Sequence, residues 1–152
     1  MAIVVAQGEI VIARPTAEVR AQFVDMQHHA STRVHADLDV SNVRPQSGGC
    51  RFTGRRRVLG MLQEDEIEVA QDASGNSSLR SLAGTNAGLL ITQKFESVDA
   101  AHTRVRTQVE LPARGLLALL APLLRLGLQR DLETALKEDK HDLEERGYPR
   151  RA

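Results

Sequence analysis

At 152 residues, 41% of them hydrophobic, the chain has the length of one domain with a single sizeable core. Its 20 basic and 20 acidic side chains cancel, so no global field draws it to nucleic acid, and its aromatics (Phe23, Phe52, Phe95 and Tyr148) are too few for base-stacking platforms. The lone Cys50 excludes an internal disulfide, and an N-terminus without basic and long apolar blocks shows no signal peptide, so a cytoplasmic protein with no nucleic-acid partner is expected.

Residues 3–13 (IVVAQGEIVIA) open with β-branched side chains and then alternate, which predicts a first strand ended by Arg14-Pro15. Pro15 stands where a helix begins, Glu18 falls in its opening turn, and Val19 and Phe23 are four apart, so a short helix runs toward Asp25. Residues 26–35 (MQHHASTRVH) have no clear period and read as a short second helix or a loop. They carry His28, His29 and His35. A histidine pair plus a third could ligate a metal, but adjacent His28 and His29 cannot both face one site on a regular element, and no carboxylate completes a recognisable spacing. The expectation is solvated loop histidines and no metal.

From Ala36 the texture changes to alternation, Leu38 and Val40 against Asp37, Asp39 and Ser41. Further strands are predicted at 50–60, 61–70, 78–84, 89–98 and 103–111, with turns at 45–49, 73–76, 85–88 and 99–102 and Pro112 ending the sheet. Each strand alternates, so each has a face to be covered. The only element large enough to do so lies between Leu116 and Leu143. Its first part, Leu116–Leu128, holds eight leucines and one charge, and is too short for a transmembrane segment. One helix face cannot bury all eight. The stretch therefore divides into a gripped helix from about Pro122 to Gly147 and a separately angled piece at 114–121, read as a lid at a cavity mouth. On the helix, Leu124, Leu128, Leu132, Ala135, Leu136 and Leu143 form one stripe, with Asp139 in its middle. Asp139 is read as a point of emergence into solvent or an arginine's partner. The fold class is α+β: a curved antiparallel sheet of about six to seven strands gripping a long C-terminal helix, with one or two short helices after the first strand.

This order of elements resembles the START-like (helix-grip, SRPBCC) superfamily, especially its polyketide cyclase/dehydrase and lipid-transport group. IVIARPTAEVRAQFVD (10–25) looks like that family's opening strand, proline and first helix. GCRFTGRRRVLG (49–60) looks like its glycine-opened third strand, HTRVRTQVEL (102–111) like its late strand, and residues 114–144 like its closing helix. Arg20 stands where the family often has an aromatic, and the tryptophan commonly found after the helix-ending Asp is missing. The resemblance implies a START-like domain over residues 1–147, a tail at 148–152, and a deep cavity for a hydrophobic or amphipathic molecule. Cofactors are not implied.

A hairpin turn at Gly60-Met61 would set Arg57 opposite Glu64, Arg55 opposite Glu66, Arg56 opposite Asp65 and Leu59 opposite Leu62. Phe52, Val58, Ile67 and Val69 would then face the cavity, and Arg56 and Asp65 would pair there to orient a ligand. In LLITQKFESV, Ile91 and Phe95 face inward and carry Gln93 with them. The candidate ligand-binding residues are Phe52, Arg56, Val58, Asp65, Ile67, Ile91, Gln93, Phe95, Val109, Leu124 and Leu128. No catalytic set is visible: there is no nucleophile elbow, phosphate loop or dinucleotide fingerprint. The first reading is a binder of a small hydrophobic molecule (a lipid, quinone or polyketide-like compound). The alternatives are a cyclase or dehydratase acting on such a molecule, and an interaction or homodimer module using residues 116–128.

Overall fold

A computed structural model of the chain describes residues 1–58 and 60–149. In chain order the elements are β1 (Ala2–Ile12), α1 (Thr16–Val24), α2 (Met26–Thr32), β2 (Asp39–Gln46), β3 (Gly49–Val58), β4 (Met61–Gln71), β5 (Ser77–Gly84), β6 (Leu90–Asp99), β7 (His102–Ala113), α3 (Leu116–Leu119) and α4 (Ala121–His141). A π-helical turn, Asp142–Gly147, continues α4. The described strands form one antiparallel sheet of seven in the order β1-β7-β6-β5-β4-β3-β2. This is the α+β helix-grip arrangement that the alternation and the closing helix imply.

Pro15 adopts the extended conformation at φ −60° and ψ 147° and opens α1, which buries Val19 and Phe23 as their spacing requires. Asp25 ends α1 and starts α2, its carboxylate accepting the His28 backbone N–H at 3.0 Å. Residues 26–32 are therefore helical, the first of the two readings. Pro112 does not end the sheet: β7 continues through it, pairing Pro112 with Ile3 and Ala113 with Ala2. β6 begins at Leu90, opposite Glu110, so the ladder on that side of β7 stops short of Pro112 and a missing N–H is tolerated there.

The inner face of the sheet, α1, one face of α4 and the π-helical turn share a core of Ala6, Ile12, Val19, Phe23, Phe95, Val105, Val109, Leu132, Leu136 and Leu143. A smaller cluster, Met26, Cys50, Phe52 and Val69, lies under β3 and β4. Contact between α4 and β1 depends on a missing side chain. A Cβ on Gly8 would stand 3.0 Å from Leu136 Cδ1 and 3.3 Å from Leu132. The expected break in the leucine run falls at Leu120, between α3 and α4.

Candidate functional site

Between the sheet and α4 lies a cavity of about 290 Å³, walled by members of both clusters, among them Phe23, Met26, Phe52, Val109, Leu132 and Leu136. Six of the eleven candidate residues line it: Phe52, Arg56, Ile91, Gln93, Val109 and Leu128. The structure places the other five elsewhere. Phe95 is buried, its ring edge-on to Phe23 at 5.3 Å. Ile67 packs on the Phe52 cluster. Val58 ends β3 opposite Met61, and Leu124 is half-buried early in α4. Asp65 is buried within the sheet. It accepts hydrogen bonds from Ser81 Oγ (2.9 Å), the Asn86 backbone N–H (2.7 Å) and Asn86 Nδ2 (3.0 Å).

The Arg56–Asp65 pair therefore does not form. Val58 pairs with Met61, so the hairpin register sits two residues from the one a Gly60-Met61 turn requires: Arg56 faces Gln63 and Gly54 faces Asp65. The Leu59–Leu62 pairing lies outside the described residues. A shift of two preserves which side chains share a face, which is why Arg56 still points at the cavity. On the outer face the ion pairs become Arg55–Glu64 at 2.7 Å and Arg44–Glu66, in place of Arg57–Glu64 and Arg55–Glu66.

Arg56 reaches across to α4 instead, its Nη2 donating to Asp131 Oδ2 at 2.9 Å. Gln93 Oε1 accepts from Ser77 Oγ at 2.7 Å, the cross-strand bond that holds its amide at the wall. Two buried polar atoms in the lining have no hydrogen-bond partner among the described residues: Arg56 Nε and Thr107 Oγ1. The exposed Asp37 and Asp131 mark the opening. No residue of 114–127 lines the cavity, so the expected lid lies away from it.

One end of the cavity is ionisable, and here the histidine expectation is overturned. His28 and His29 are 9% and 5% exposed, and Asp139 is 5% exposed. Their rings are one step apart on α2, yet both turn to the C-terminal helix because their acceptors lie three residues apart on it. His28 Nε2 meets Asp142 Oδ2 at 2.6 Å, and His29 Nε2 meets Asp139 Oδ1 at 3.2 Å. His29 Nδ1 donates to the Asp25 carbonyl at 2.8 Å. His35 lies with Nδ1 3.1 Å from Glu138 Oε1 and Nε2 3.5 Å from Asp139 Oδ1. The carboxylate of Glu138 is held in turn by the Ala36 backbone N–H at 2.9 Å. From α1, Gln22 Nε2 donates to Asp139 (3.1 Å) and Asp142 (3.0 Å). Its Oε1 is left without a partner among the described residues, so the amide is oriented by the two carboxylates at some cost.

Burial opposes charge on His35, but Asp139 and Glu138 beside it outweigh burial and hold its pKa above the ordinary value. Burial likewise works against ionised Asp139, and His35, His29 and Gln22 together hold that carboxyl below its ordinary value. Tyr148 closes the cluster. Its hydroxyl donates to Asp25 Oδ2 at 2.8 Å, its ring packs edge-on to His28, and burial and Asp25 push its phenol pKa up.

His29, His35, Glu138 and Asp139 all line the cavity and were not among the candidate residues. The sequence held one signal for them. A carboxylate inside the apolar stripe of a gripped helix needs donors facing it, and the histidine-rich segment between the first helix and the second strand is where they stand.

No family model matches the chain, and no curated protein matches it in sequence. Solved structures do. A protein of Thermus thermophilus is 18% identical, with 90% of this chain and 94% of that one covered at a TM-score of 0.78. The Zhui aromatase/cyclase from a Streptomyces species is 14% identical, with 96% and 99% covered at 0.76. A START superfamily protein from Mycobacterium smegmatis is 11% identical, with 92% and 97% covered at 0.75. At such identities the likeness concerns the fold, and that fold is START-like, of the helix-grip (SRPBCC) kind.

Proposed function

We propose that the chain binds a small amphipathic molecule, apolar along most of its length and carrying a carbonyl or hydroxyl group, in the cavity between sheet and α4. The observation that carries this reading is the pairing of an aliphatic wall with two unpartnered polar atoms, Arg56 Nε and Thr107 Oγ1. A buried donor left without a partner costs about 1–3 kcal/mol, and a ligand oxygen bonded to either removes its cost. Apolar burial supplies the affinity, at about 25 cal/mol per Å² before the costs of association. At about 290 Å³ the cavity stands at the small end for organic ligands, which favours a single ring system or a short chain over a two-tailed lipid.

A cyclase or dehydratase reading is the alternative. It gains support from the imidazole–carboxylate pairs lining one end, where His35 and Asp139 stand within reach of a bound molecule, and from the aromatase/cyclase among the similar structures. No transmembrane helix is available, since no described helix is long and apolar enough to cross a bilayer.

Native mass spectrometry of the purified protein is the direct test, with a co-purifying molecule that organic solvent releases as the expected result. Fluorescence titration with an anilinonaphthalene sulfonate probe follows. Leu132→Trp, which fills the cavity from α4, should abolish probe uptake while leaving the far-ultraviolet spectrum unchanged. Equal uptake by the filled variant overturns the reading.

A further inference from the structure

At one end of the cavity His29, His35 and Asp139 each bring one potential ligand atom within 4.8 Å of the other two. Three features separate this group from a chance cluster of polar side chains.

The first is spacing. His29 Nε2 and His35 Nε2 stand 3.2 Å and 3.5 Å from the same oxygen, Asp139 Oδ1. A direct N–H···O bond to a carboxylate settles nearer to about 2.8 Å. Bonds of about 2.0–2.2 Å to a tetrahedral cation put its ligand atoms roughly 3.3–3.6 Å apart; the His35 distance lies in that range and the His29 distance just below it.

The second is the far side of each ligand. His29 Nδ1 gives its proton to the Asp25 carbonyl, and His35 Nδ1 faces the Glu138 carboxylate. Each ring is thus held through Nδ1 and presents Nε2 to Asp139. Histidine ligands to metals carry just such partners on their other nitrogen, a carbonyl for one ring and a carboxylate for the other. Asp139 itself is steadied by Gln22.

The third is access. The three ligands reach the cavity wall, so a fourth coordination position opens onto the space proposed for the organic molecule. Two imidazoles and one carboxylate with an open position suit a borderline transition ion and disfavour calcium or magnesium, which prefer all-oxygen shells.

We propose that His29, His35 and Asp139 form a three-ligand site for a divalent first-row transition ion of the zinc class, its open position facing the cavity. His35 is set by Glu138 and His29 by the Asp25 carbonyl, so Glu138 is a positioning residue. The site stands independently of which organic molecule fills the cavity. A bound ion there would act as an electrophile toward a ligand oxygen.

The test uses tag-free protein freed of metal with a chelator and titrated with zinc by calorimetry, then with cobalt(II) by visible absorption. One equivalent should bind, and cobalt should show the intense d–d bands of tetrahedral nitrogen–oxygen ligation. His35→Gln should weaken zinc binding at least about 100-fold, while the exposed-site control His141→Gln leaves it unchanged. Glu138→Gln, which keeps an acceptor for the Ala36 N–H, should weaken it about 10- to 100-fold. Circular dichroism of each variant checks folding, and the fluorescent probe should still enter the His35→Gln cavity, which separates failure of this site from failure of the ligand reading. Absence of stoichiometric zinc uptake overturns the proposal, as does uptake that His35→Gln and Glu138→Gln both leave unchanged. A pale, octahedral cobalt spectrum also overturns it.

Discussion

Leu116 and Leu119 are 79% and 78% exposed, whereas Asp139 and Asp142, farther along the same helical stretch, are 5% and 0% exposed. Polarity alone would assign the two ends the other way round. What separates them is the surface opposite. Leu123 and Leu126, in the first turns of α4, point away from β1 and meet solvent, while Ala121, Pro122 and Arg125 turn toward it. The later turns face β1 with its side-chain-free Gly8, and then the donors of α1 and α2. An apolar side chain without a facing surface stays exposed, while a carboxylate met by an amide and imidazoles can be buried.

The comparison breaks most readily at Asp142, bonded to Gln22 and His28 with a fully buried side chain. Asp142→Ala strands both donors in the interior and should lower unfolding free energy by about 3–5 kcal/mol. Urea denaturation reads this as a fall in midpoint at constant slope. A loss below about 1 kcal/mol would mean that the cluster is wet and contributes little.

Two leucines sharpen it next. Leu136→Ala empties a site 4% exposed and should cost about 2–5 kcal/mol. Leu126→Ala, at a site 62% exposed, should stay within about 0.5 kcal/mol. A large loss at Leu126 that grows with protein concentration would show the leucine face buried against a second copy, the homodimer that residues 116–128 suggested. Arg56→Ala comes third: its ion pair with Asp131 lies at the cavity opening and is partly solvated, so stability should change by less than about 1 kcal/mol. Probe affinity should fall about tenfold if Arg56 Nε meets the ligand.

The strands were legible because a period of two runs through most of their length; it breaks at the bulge in β2 between Ser41 and Arg44, where Val40 and Val43, three apart, pack on the same cluster. The division of the leucine run was legible because eight leucines exceed what one helix face can cover. Hairpin register was not, since moving the turn so that Val58 meets Met61 leaves the same side chains on the same face, and hydrophobic pattern cannot distinguish the two. Five cavity residues followed from strand parity and the sixth, Leu128, from the stripe on the helix. The ionisable end did not, because α2 is too short for its period to show and its partners, Glu138, Asp139 and Asp142, lie more than 100 residues away. Asp139 gave the clue by standing inside the apolar stripe; only the nearness of α2 turns that irregularity into a site.

The smallest expected effect tests whether the buried end extends past Asp142. Glu144 accepts the Ala13 backbone N–H at 3.1 Å and pairs with Lys140 at 3.0 Å, tying the π-helical turn to the segment after β1. Burial alone would raise its pKa, but the Ala13 bond, Lys140 and Arg14 outweigh it and hold the carboxyl below its ordinary value. A depressed carboxyl binds fewer protons folded than unfolded, so its contribution is complete above the unfolded pKa, about 4.3, and is lost as pH falls through the folded value. Glu144→Gln keeps an acceptor for Ala13 but no charge. It should cost about 0.5–1 kcal/mol at pH 7, and the gap between variant and parent should close as pH is lowered below about 4. Urea midpoints at several pH values measure that gap. If it is the same at pH 7 and pH 3, the charge contributes nothing there and the electrostatic end of the helix stops at Asp142.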